Sequence, residues 1–418
     1  MRRHRGAQLP KWNHELVSDN AADIIVRVIA DDVQLKRRQY TRPTWVEVSL
    51  SAVRKNFRAL QQFVGPDVTI CAVVKADAYG HGAPDCALAL EAEGARWMGV
   101  TSTDEGIILR DAGIRSRVLL MSGFWHGEER DIISRELTPV IWDPDQIETL
   151  NRAASAFATA PVPIHLKLDT GMGRLGVTLD ELPEIVSALH SASSLYVEGV
   201  ASHLASSDVL DAAQNEQQII EFQNALQTLT QSGISPKHIH MANTSAVLSR
   251  PPSWHSMVRP GIALYGYALA FRRGGRIDDQ PLPVGLEPAL SWKTRVISLK
   301  HVAANQSLGY SAQYTTKAPS TIAVLPVGYA DGYDRRLSNR GRVIVRGQYA
   351  PIVGLISMDL TLVDVTAIPE VEIGDTVNLI GCDGDCRIDV WEHARLCSTV
   401  PYEIVCAISK RVPRRYLL

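Results

Sequence analysis

The sequence predicts an α/β protein in which a (β/α)8 TIM barrel is followed by a mostly β C-terminal domain. Two observations carry this prediction. Short apolar runs rich in β-branched residues alternate with helical patterns between residues 68 and 264, as expected when parallel strands are buried between helices. Beyond about residue 283, strand patterns continue without regular helices, over residues 290–302, 322–327, 342–345, 352–356, 361–365 and 377–380. We therefore predict an extension over residues 1–43, a barrel over 44–283 and a β domain over 284–418.

The charge and hydrophobic content of the chain argue against several classes of function. The chain has 418 residues, a net charge of −2 and 45% hydrophobic residues. A near-neutral balance gives no electrostatic case for nucleic-acid binding, and no apolar stretch has the length of a membrane span. The basic start lacks the apolar core of a secretory signal. We expect a cytoplasmic protein with reduced thiols, a partly disordered extension and one short amphipathic helix over residues 23–38.

One cluster of the C-terminal region has metal-ligand residue types. Cys382, Cys386, His393 and Cys397 could suit zinc. However, the spacer between Cys386 and His393 is short, and WEHARLC has an ordinary helical pattern. We predict no metal site.

The strand-like runs of the barrel number eight. They are Val68–Val74, Trp97–Val100, Val118–Met121, Pro139–Trp142, Ile164–Leu168, Tyr196–Ala201, His238–Met241 and Val258–Leu264. Helices are predicted between them over residues 83–93, 179–189 and 211–229, the second with a capping box formed by Thr178 and Glu181. Eight alternating units over about 200 residues favour a closed barrel over an open sheet.

Unusual polar residues follow these strands. They include Lys75 after the first strand, Lys167 to Arg174 around the fifth, His203 after the sixth, Asn243 and Thr244 after the seventh, and Arg259 at the beginning of the eighth. The C-terminal strand ends of a TIM barrel form its active site, so these side chains are predicted to converge.

Three motifs lie among these residues. AVVKADAYGHG places Lys75 at a strand end, where a lysine is either a nucleophilic amine or a surface residue. KLDTGMGRLG has three glycines that allow close backbone approach, and its Arg174 could clamp a carboxylate, although the stretch could equally be a plain turn. MVRPGIALYG brings main-chain N–H groups near Arg259, where they could approach a phosphate.

All three motifs resemble those of the bacterial alanine racemases. The strings SLGYSAQY, LPVGYADGYDRRL, ISMD and PYEIVCAISKRVPR resemble the C-terminal domain of the same family, so the resemblance runs from about Trp45 to Arg415. It implies a fold type III enzyme that binds pyridoxal 5′-phosphate (PLP) and interconverts L- and D-alanine, supplying D-alanine for peptidoglycan. It also implies a homodimer with shared active sites.

The resemblance assigns roles by position. Lys75 carries PLP as a Schiff base and is one catalytic base, and Tyr310 of the second subunit is the other. Substrate contacts fall to Arg174, Tyr329 and Met358, and Lys167 is the candidate for carbamylation. The cofactor-binding residues are Lys75, Tyr79, His203, Asn243, Thr244, Arg259, Gly261, Ile262 and Tyr402. One departure, ANTS where the family usually has ANSA, keeps a hydroxyl at Thr244 that can still bind phosphate.

Alternative protein families of related fold differ from this sequence at particular residues. The small PLP-carrier barrel has no C-terminal domain and hence no counterpart of Tyr310, and the basic amino-acid decarboxylases place an acid where Arg259 lies. An arginine there leaves the pyridine nitrogen unprotonated, which favours clean proton transfer. A serine or broad-specificity racemase keeps nearly all these residues and differs mainly around Tyr402. It stays the alternative function.

Overall fold

The computed structural model describes residues 42–418. Within this range the chain begins with strand β1 (Thr44–Ser49) and continues into a sheet of eight parallel strands. Those strands are β2 (Thr69–Val73), β3 (Trp97–Val100), β4 (Arg117–Leu120), β5 (Leu137–Ile141), β6 (Val162–Lys167), β7 (Leu195–Ala201), β8 (His238–His240) and β9 (Met257–Val258). They pair in sequence order from β2 to β8, with β9 on the other side of β2. This arrangement confirms the predicted barrel.

The barrel closes between β8 and β9 through single hydrogen bonds. The Ser256 hydroxyl accepts from the Ile239 N–H at 2.8 Å, and the Arg259 N–H donates to the Ala242 carbonyl at 2.9 Å. The predicted strand over 258–264 is mostly wrong, because Pro260 and Gly261 interrupt it and residues 262–265 form a 3₁₀ turn. Arg259 therefore follows its strand, as the other site residues do.

One helix precedes the first barrel strand, and the others occupy the connections between the barrel strands. The helices are α1 (Leu50–Val64), α2 (Ala83–Ala92), α3 (Thr103–Asp111), α4 (Glu129–Ser134), α5 (Pro144–Phe157), α6 (Leu182–Ser191), α7 (Ala213–Gln231) and α8 (Thr244–Ser249). Side chains cap several of them: Ser49, Ser102, Asp143 and Asn243 each accept a backbone N–H of the first turn. The capping box predicted for α6 is wrong, because the Thr178 hydroxyl donates to Glu181 and the helix begins only after them.

The C-terminal region is mostly β, as predicted. Its strands and the preceding hairpin are β10 (Arg272–Arg273), β11 (Arg276–Ile277), β12 (Leu290–Arg295), β13 (Ser298–Val302), β14 (Ser307–Leu308), β15 (Tyr314–Thr315), β16 (Ser320–Leu325), β17 (Arg342–Val345), β18 (Gln348–Pro351), β19 (Thr361–Asp364), β20 (Thr376–Asp383), β21 (Cys386–Ile388) and β22 (Arg414–Leu417). Helices α9 (Val390–Leu396) and α10 (Pro401–Ala407) lie between β21 and β22. Short 3₁₀ turns occur at residues 251–253, 262–265, 310–312, 329–331 and 335–337.

Two sheets organise this region. One has the order β18-β17-β20-β12-β1-β22, with β21 also on β20, and the other has the order β13-β16-β19. The predicted strand over 290–302 is therefore two strands, which belong to different sheets. Residues 352–356 do not form the predicted strand and contribute only an isolated bridge from Ile352 to Val363.

Strand β1 lies outside the barrel sheet. It pairs antiparallel with β12 and parallel with β22, so the first described strand belongs to the C-terminal sheet. The predicted boundaries at 44 and 283 stay predictions. The helix predicted over residues 23–38 lies outside the described residues. No helix between residues 42 and 418 is both long and apolar enough to span a bilayer.

Candidate active site

A cavity of about 450 Å³ opens at the C-terminal ends of the barrel strands. Most of the predicted site residues line it: Lys75, Tyr79, Lys167, Arg174, His203, Asn243, Thr244, Arg259, Gly261 and Tyr402. Among the lining residues four are basic and only Asp208 is acidic. The cavity is thus suited to anionic groups such as phosphate and carboxylate.

Four predicted residues are not brought to this cavity. Ile262 is fully buried in the 3₁₀ turn behind Gly261. Tyr310, Tyr329 and Met358 of the C-terminal region are 70%, 44% and 52% exposed. Within one chain these three side chains do not line the cavity wall.

Lys75 begins an unusual turn at the end of β2. The next four residues, 76–79, all have left-handed dihedral angles, with φ between 51° and 54°. None of them is glycine, and each such residue costs about 1–2 kcal/mol. Gly80 completes the turn, where a Cβ atom would lie 2.3 Å from the Val405 carbonyl oxygen. The surrounding structure must therefore impose this conformation.

The turn places the Lys75 amine where its charge is disfavoured. Burial is the main cause that lowers its pKa, and the Arg174 guanidinium lowers it further. Glu105 acts in the opposite direction. A lowered pKa makes the neutral, nucleophilic amine more available near neutral pH.

Arg259 anchors a line of buried side chains through the barrel. Its Nη1 lies 2.5 Å from His240 Nδ1, and His240 Nε2 lies 2.7 Å from His165 Nδ1. Because the guanidinium can only donate, His240 accepts at Nδ1 and donates from Nε2. Burial lowers the pKa of Arg259 to about 10 and that of His240 well below its usual range. Arg259 thus carries the charge while both histidines are neutral.

His203 joins this cluster from the end of β7. Its Nδ1 lies 3.3 Å from Arg259 Nη2, and its Nε2 is 3.5 Å from Asn243 Nδ2. Burial and the nearby cations, Arg259 first among them, hold its pKa well below the ordinary value. A neutral, flat ring therefore forms part of the cavity wall.

The loop after β6 is shaped by one carboxylate. Asp169 accepts the N–H groups of Gly171, Met172, Gly173 and Arg174 at 2.9–3.1 Å. Lys167 is buried just before this loop. Burial, with Arg259 and Arg174 nearby, lowers its pKa well below the usual range. Burial and these two guanidinium groups therefore favour the neutral form of its amine.

Backbone and hydroxyl groups meet in the part of the cavity wall around Gly261. The Gly261 N–H donates to the Thr244 hydroxyl at 2.9 Å. A Cβ at residue 261 would lie 2.2 Å from the Tyr79 hydroxyl, so only glycine leaves room for that phenol. The Tyr79 and Tyr402 rings are 5.8 Å apart, and burial raises the pKa of both, which keeps their hydroxyls protonated. Several donors thus surround one small space.

Sequence reasoning missed three residues of this environment. His240 and Asp208 line the cavity, and Glu105 contacts the lysine turn. His240 ends β8 and could have been found by the strand-end rule used for the others. Glu105 lies in the first turn of α3, where an acidic residue is expected for helix stability alone.

The four residues considered above as zinc ligands all lie in the part of the chain that the structure describes. Between residues 42 and 418, no three His, Cys, Asp or Glu side chains are grouped so that they could hold a metal ion. Cys382 is exposed, whereas Cys397 and His393 are buried.

Known proteins share this architecture and sequence. The family model described as "Alanine racemase, N-terminal domain" matches residues 48–269, and "Alanine racemase, C-terminal domain" matches residues 289–416. A curated relative named "Alanine racemase", from Halothermothrix orenii, is 39% identical over 91% of this chain and 98% of its own length.

Solved structures agree with these matches. The alanine racemase of a D-cycloserine-producing Streptomyces lavendulae has a TM-score of 0.83 and 33% identity, covering 90% of this chain and 97% of its own. The alanine racemase of Bartonella henselae "with covalently bound pyridoxal phosphate" has a TM-score of 0.79 and 29% identity, covering 90% and 99%. Both domain models match in order, and the curated relative is similar over nearly its whole length. The chain belongs to the alanine racemase family.

Proposed function

We propose that this protein is a PLP-dependent isomerase that interconverts L- and D-alanine and supplies D-alanine for peptidoglycan. The observation that carries the proposal is the position of Lys75. Lys75 follows a barrel strand, and its amine, which has a lowered pKa, lies in a basic cavity. The chain that carries it belongs to the alanine racemase family. The structural neighbour from Bartonella henselae, whose name includes covalently bound pyridoxal phosphate, supports the choice of cofactor.

The residues of the cavity fit PLP. The Tyr79, Thr244 and Tyr402 hydroxyls line the cavity and offer hydrogen bonds for a phosphate, and Gly261 has no Cβ that would displace the Tyr79 hydroxyl. Arg259 would hold the ring nitrogen, and His203 would lie beside the ring. When bound, PLP withdraws the electrons left on the α-carbon after a proton is removed.

The protein's own groups then move the proton. Lys75 removes or returns it on one face, and its lowered pKa favours the neutral amine that this step requires. Tyr310 of the partner subunit does so on the other face. Arg174 binds the substrate carboxylate through charge-assisted hydrogen bonds. Arg259 stays protonated because its pKa remains near 10, so it would donate a hydrogen bond to the ring nitrogen without transferring its proton.

Lys167 has the surroundings of a modified residue. Its neutral, buried amine can react with carbon dioxide to give a carbamate, releasing one proton. The carbamate would place a negative charge beside Arg174 and Arg259, the two guanidinium groups that disfavour the ammonium form. We propose this carbamate as the group that orients Arg174.

We also propose a homodimer in the cytoplasm. The exposed positions of Tyr310, Tyr329 and Met358 support a site completed by a second copy. All six cysteines are unpaired, which supports a reducing compartment.

One assay tests the central proposal. The purified protein, loaded with PLP, should form D-alanine from L-alanine faster than it forms D-serine from L-serine. Borohydride treatment should attach the cofactor to the peptide that contains Lys75. Labelling of another lysine overturns the assignment of Lys75, and faster serine racemisation would establish the alternative substrate.

A further inference from the structure

The turn that carries Lys75 is held by side chains outside the predicted site. We propose that Glu105 and His81 are positioning residues for Lys75, which fix the two ends of the left-handed turn at residues 76–79. This inference rests on the proposed function, because the position of the turn matters for catalysis only if Lys75 carries the cofactor.

Glu105 holds the beginning of the turn. Its Oε1 accepts the N–H of Ala76, the residue after Lys75, at 2.6 Å. Its Oε2 accepts the N–H and the hydroxyl of Thr101 at 2.8 and 3.1 Å. Thr101 directly follows β3, the neighbouring strand of the barrel. One carboxylate therefore ties the backbone beside Lys75 to the end of the next strand.

The same carboxylate acts on the charge of Lys75. Burial and Arg174 lower the pKa of the amine, and Glu105 raises it more than any other group does. Removing the negative charge while keeping an acceptor should therefore lower the pKa further. A residue that only stabilised the fold would not have this effect on Lys75.

His81 holds the other end of the turn. It is fully buried, and its Nδ1 lies 2.9 Å from the Ala78 carbonyl oxygen and 3.0 Å from that of Tyr79. Both partners are acceptors only, so Nδ1 carries the hydrogen. The bond fixes the backbone of Tyr79, whose hydroxyl reaches the space beside Gly261.

A stacked ring connects His81 to the strand before Lys75. The imidazole lies on the Tyr265 ring, with centroids 4.5 Å apart and planes at 29°. The Tyr265 hydroxyl donates to the Val73 carbonyl at 3.1 Å. Together with Glu105, this pair holds residues 73–79 from both sides.

The first experiment separates the two effects of Glu105. Apoprotein of the full chain is titrated with PLP, and the pH midpoint of the absorbance of the Lys75-bound cofactor is followed. Glu105→Ala should weaken PLP binding more than tenfold. Glu105→Gln, which keeps one acceptor, should stay within about threefold of the wild-type affinity and move the midpoint to lower pH. The exposed neighbour supplies the control, Asp104→Asn, which should change neither.

The second experiment uses the different positions of the two imidazole nitrogens of His81. His81→Asn places an amide N–H near the position of Nδ1 and should keep PLP affinity within about threefold. His81→Gln places it near Nε2 instead and should weaken PLP binding at least tenfold. The buried His393 of the C-terminal region provides the control, because His393→Gln removes a comparable imidazole that packs on Tyr333 and should leave PLP affinity unchanged.

The outcomes distinguish this inference from the proposed function. If the wild type does not bind PLP at Lys75, the proposed function fails. If the wild type racemises alanine but Glu105→Gln has an unshifted midpoint and His81→Gln binds PLP as His81→Asn does, the positioning role is overturned while the function stands. The Gln and Asn variants decide the matter even if Glu105→Ala does not fold.

Discussion

The two halves of the proposed site differ in how far a single chain completes them. On the barrel side, Lys75, Arg259 and His203 line one cavity, and burial lowers the pKa of each. On the β side, Tyr310 is 70% exposed and Met358 is 52% exposed. Buried polar clusters fix their own geometry, whereas an exposed side chain needs a partner to position it. From this difference we expect one chain to supply the cofactor half of the proposed site and a second copy to supply the proposed second base.

Subunit mixing tests this division and has the largest expected effect. Lys75→Ala and Tyr310→Phe should each lower kcat by about 10²–10⁴, because each removes one proton-transfer group. Hybrids of the two variants contain one intact site when sites are shared across a dimer. Random mixing should therefore restore about a quarter of the wild-type activity, since half the dimers are hybrids with one of two sites intact. The measurement is D-alanine formation after denaturation and joint refolding.

The same experiment has an internal control. Tyr310→Phe alone should still bind PLP at Lys75, because the residues of the cavity that are proposed to hold the cofactor are unchanged. Each variant refolded alone should stay inactive. Wild-type activity in Tyr310→Phe would contradict the second base, and mixtures no more active than their components would contradict the shared site.

The barrel side was the more predictable from sequence. Burial of parallel strands is a local signal, so the strands and the polar residues at their ends could be placed from apolar runs alone. The left-handed turn at residues 76–79 could not, because Ala76, Asp77 and Ala78 have no strong preference for it and Glu105 comes from a distant element. The pairing of β1 with β12 and β22 is equally non-local.

Tyr402 sharpens the comparison, because it comes from the C-terminal region yet lines the cavity of its own chain. Its ring lies 5.8 Å from that of Tyr79. We predict that it limits the space for the substrate side chain. Tyr402→Asn should shift the ratio of kcat/KM for alanine and serine about ten- to hundredfold towards serine, equivalent to about 1–3 kcal/mol.

Another tyrosine of the C-terminal region provides the control for this selectivity prediction. Tyr329→Phe changes an exposed tyrosine of the same region and should affect activity without changing the alanine-to-serine ratio. An unchanged ratio in Tyr402→Asn would mean that Tyr402 is only a phosphate contact.

The pH dependence of stability that one buried histidine causes is expected to be equal in the barrel and in the C-terminal region. Burial lowers the pKa of His81 in the barrel and of His393 in the C-terminal region to about 4. The unfolded chain binds a proton at each below about pH 6.5, while the folded chain does not until about pH 4. The free energy of unfolding should therefore fall as the pH is lowered through this window, by about 2 kcal/mol per histidine between pH 8 and pH 5.

Urea unfolding at the two pH values, at one protein concentration, measures this dependence. His81→Asn and His393→Asn should each reduce the difference by about 2 kcal/mol. The exposed His126→Asn is the matched control and should leave it unchanged. A full pH dependence in either buried variant would mean that the corresponding histidine is already protonated in the folded chain.

The smallest effect is expected from the N-terminal residues. The cavity and both family matches lie within residues 48–416, and nothing before residue 42 resembles the family. Deletion of residues 1–41 should leave kcat and PLP affinity within about threefold of the full chain, a change under ~1 kcal/mol. Deletion of residues 1–49 is the contrasting control, because it also removes β1, which joins β12 to β22. That longer deletion should lose cooperative unfolding as well as activity. A large loss of activity in the shorter deletion, with unfolding unchanged, would show that the extension takes part in the site.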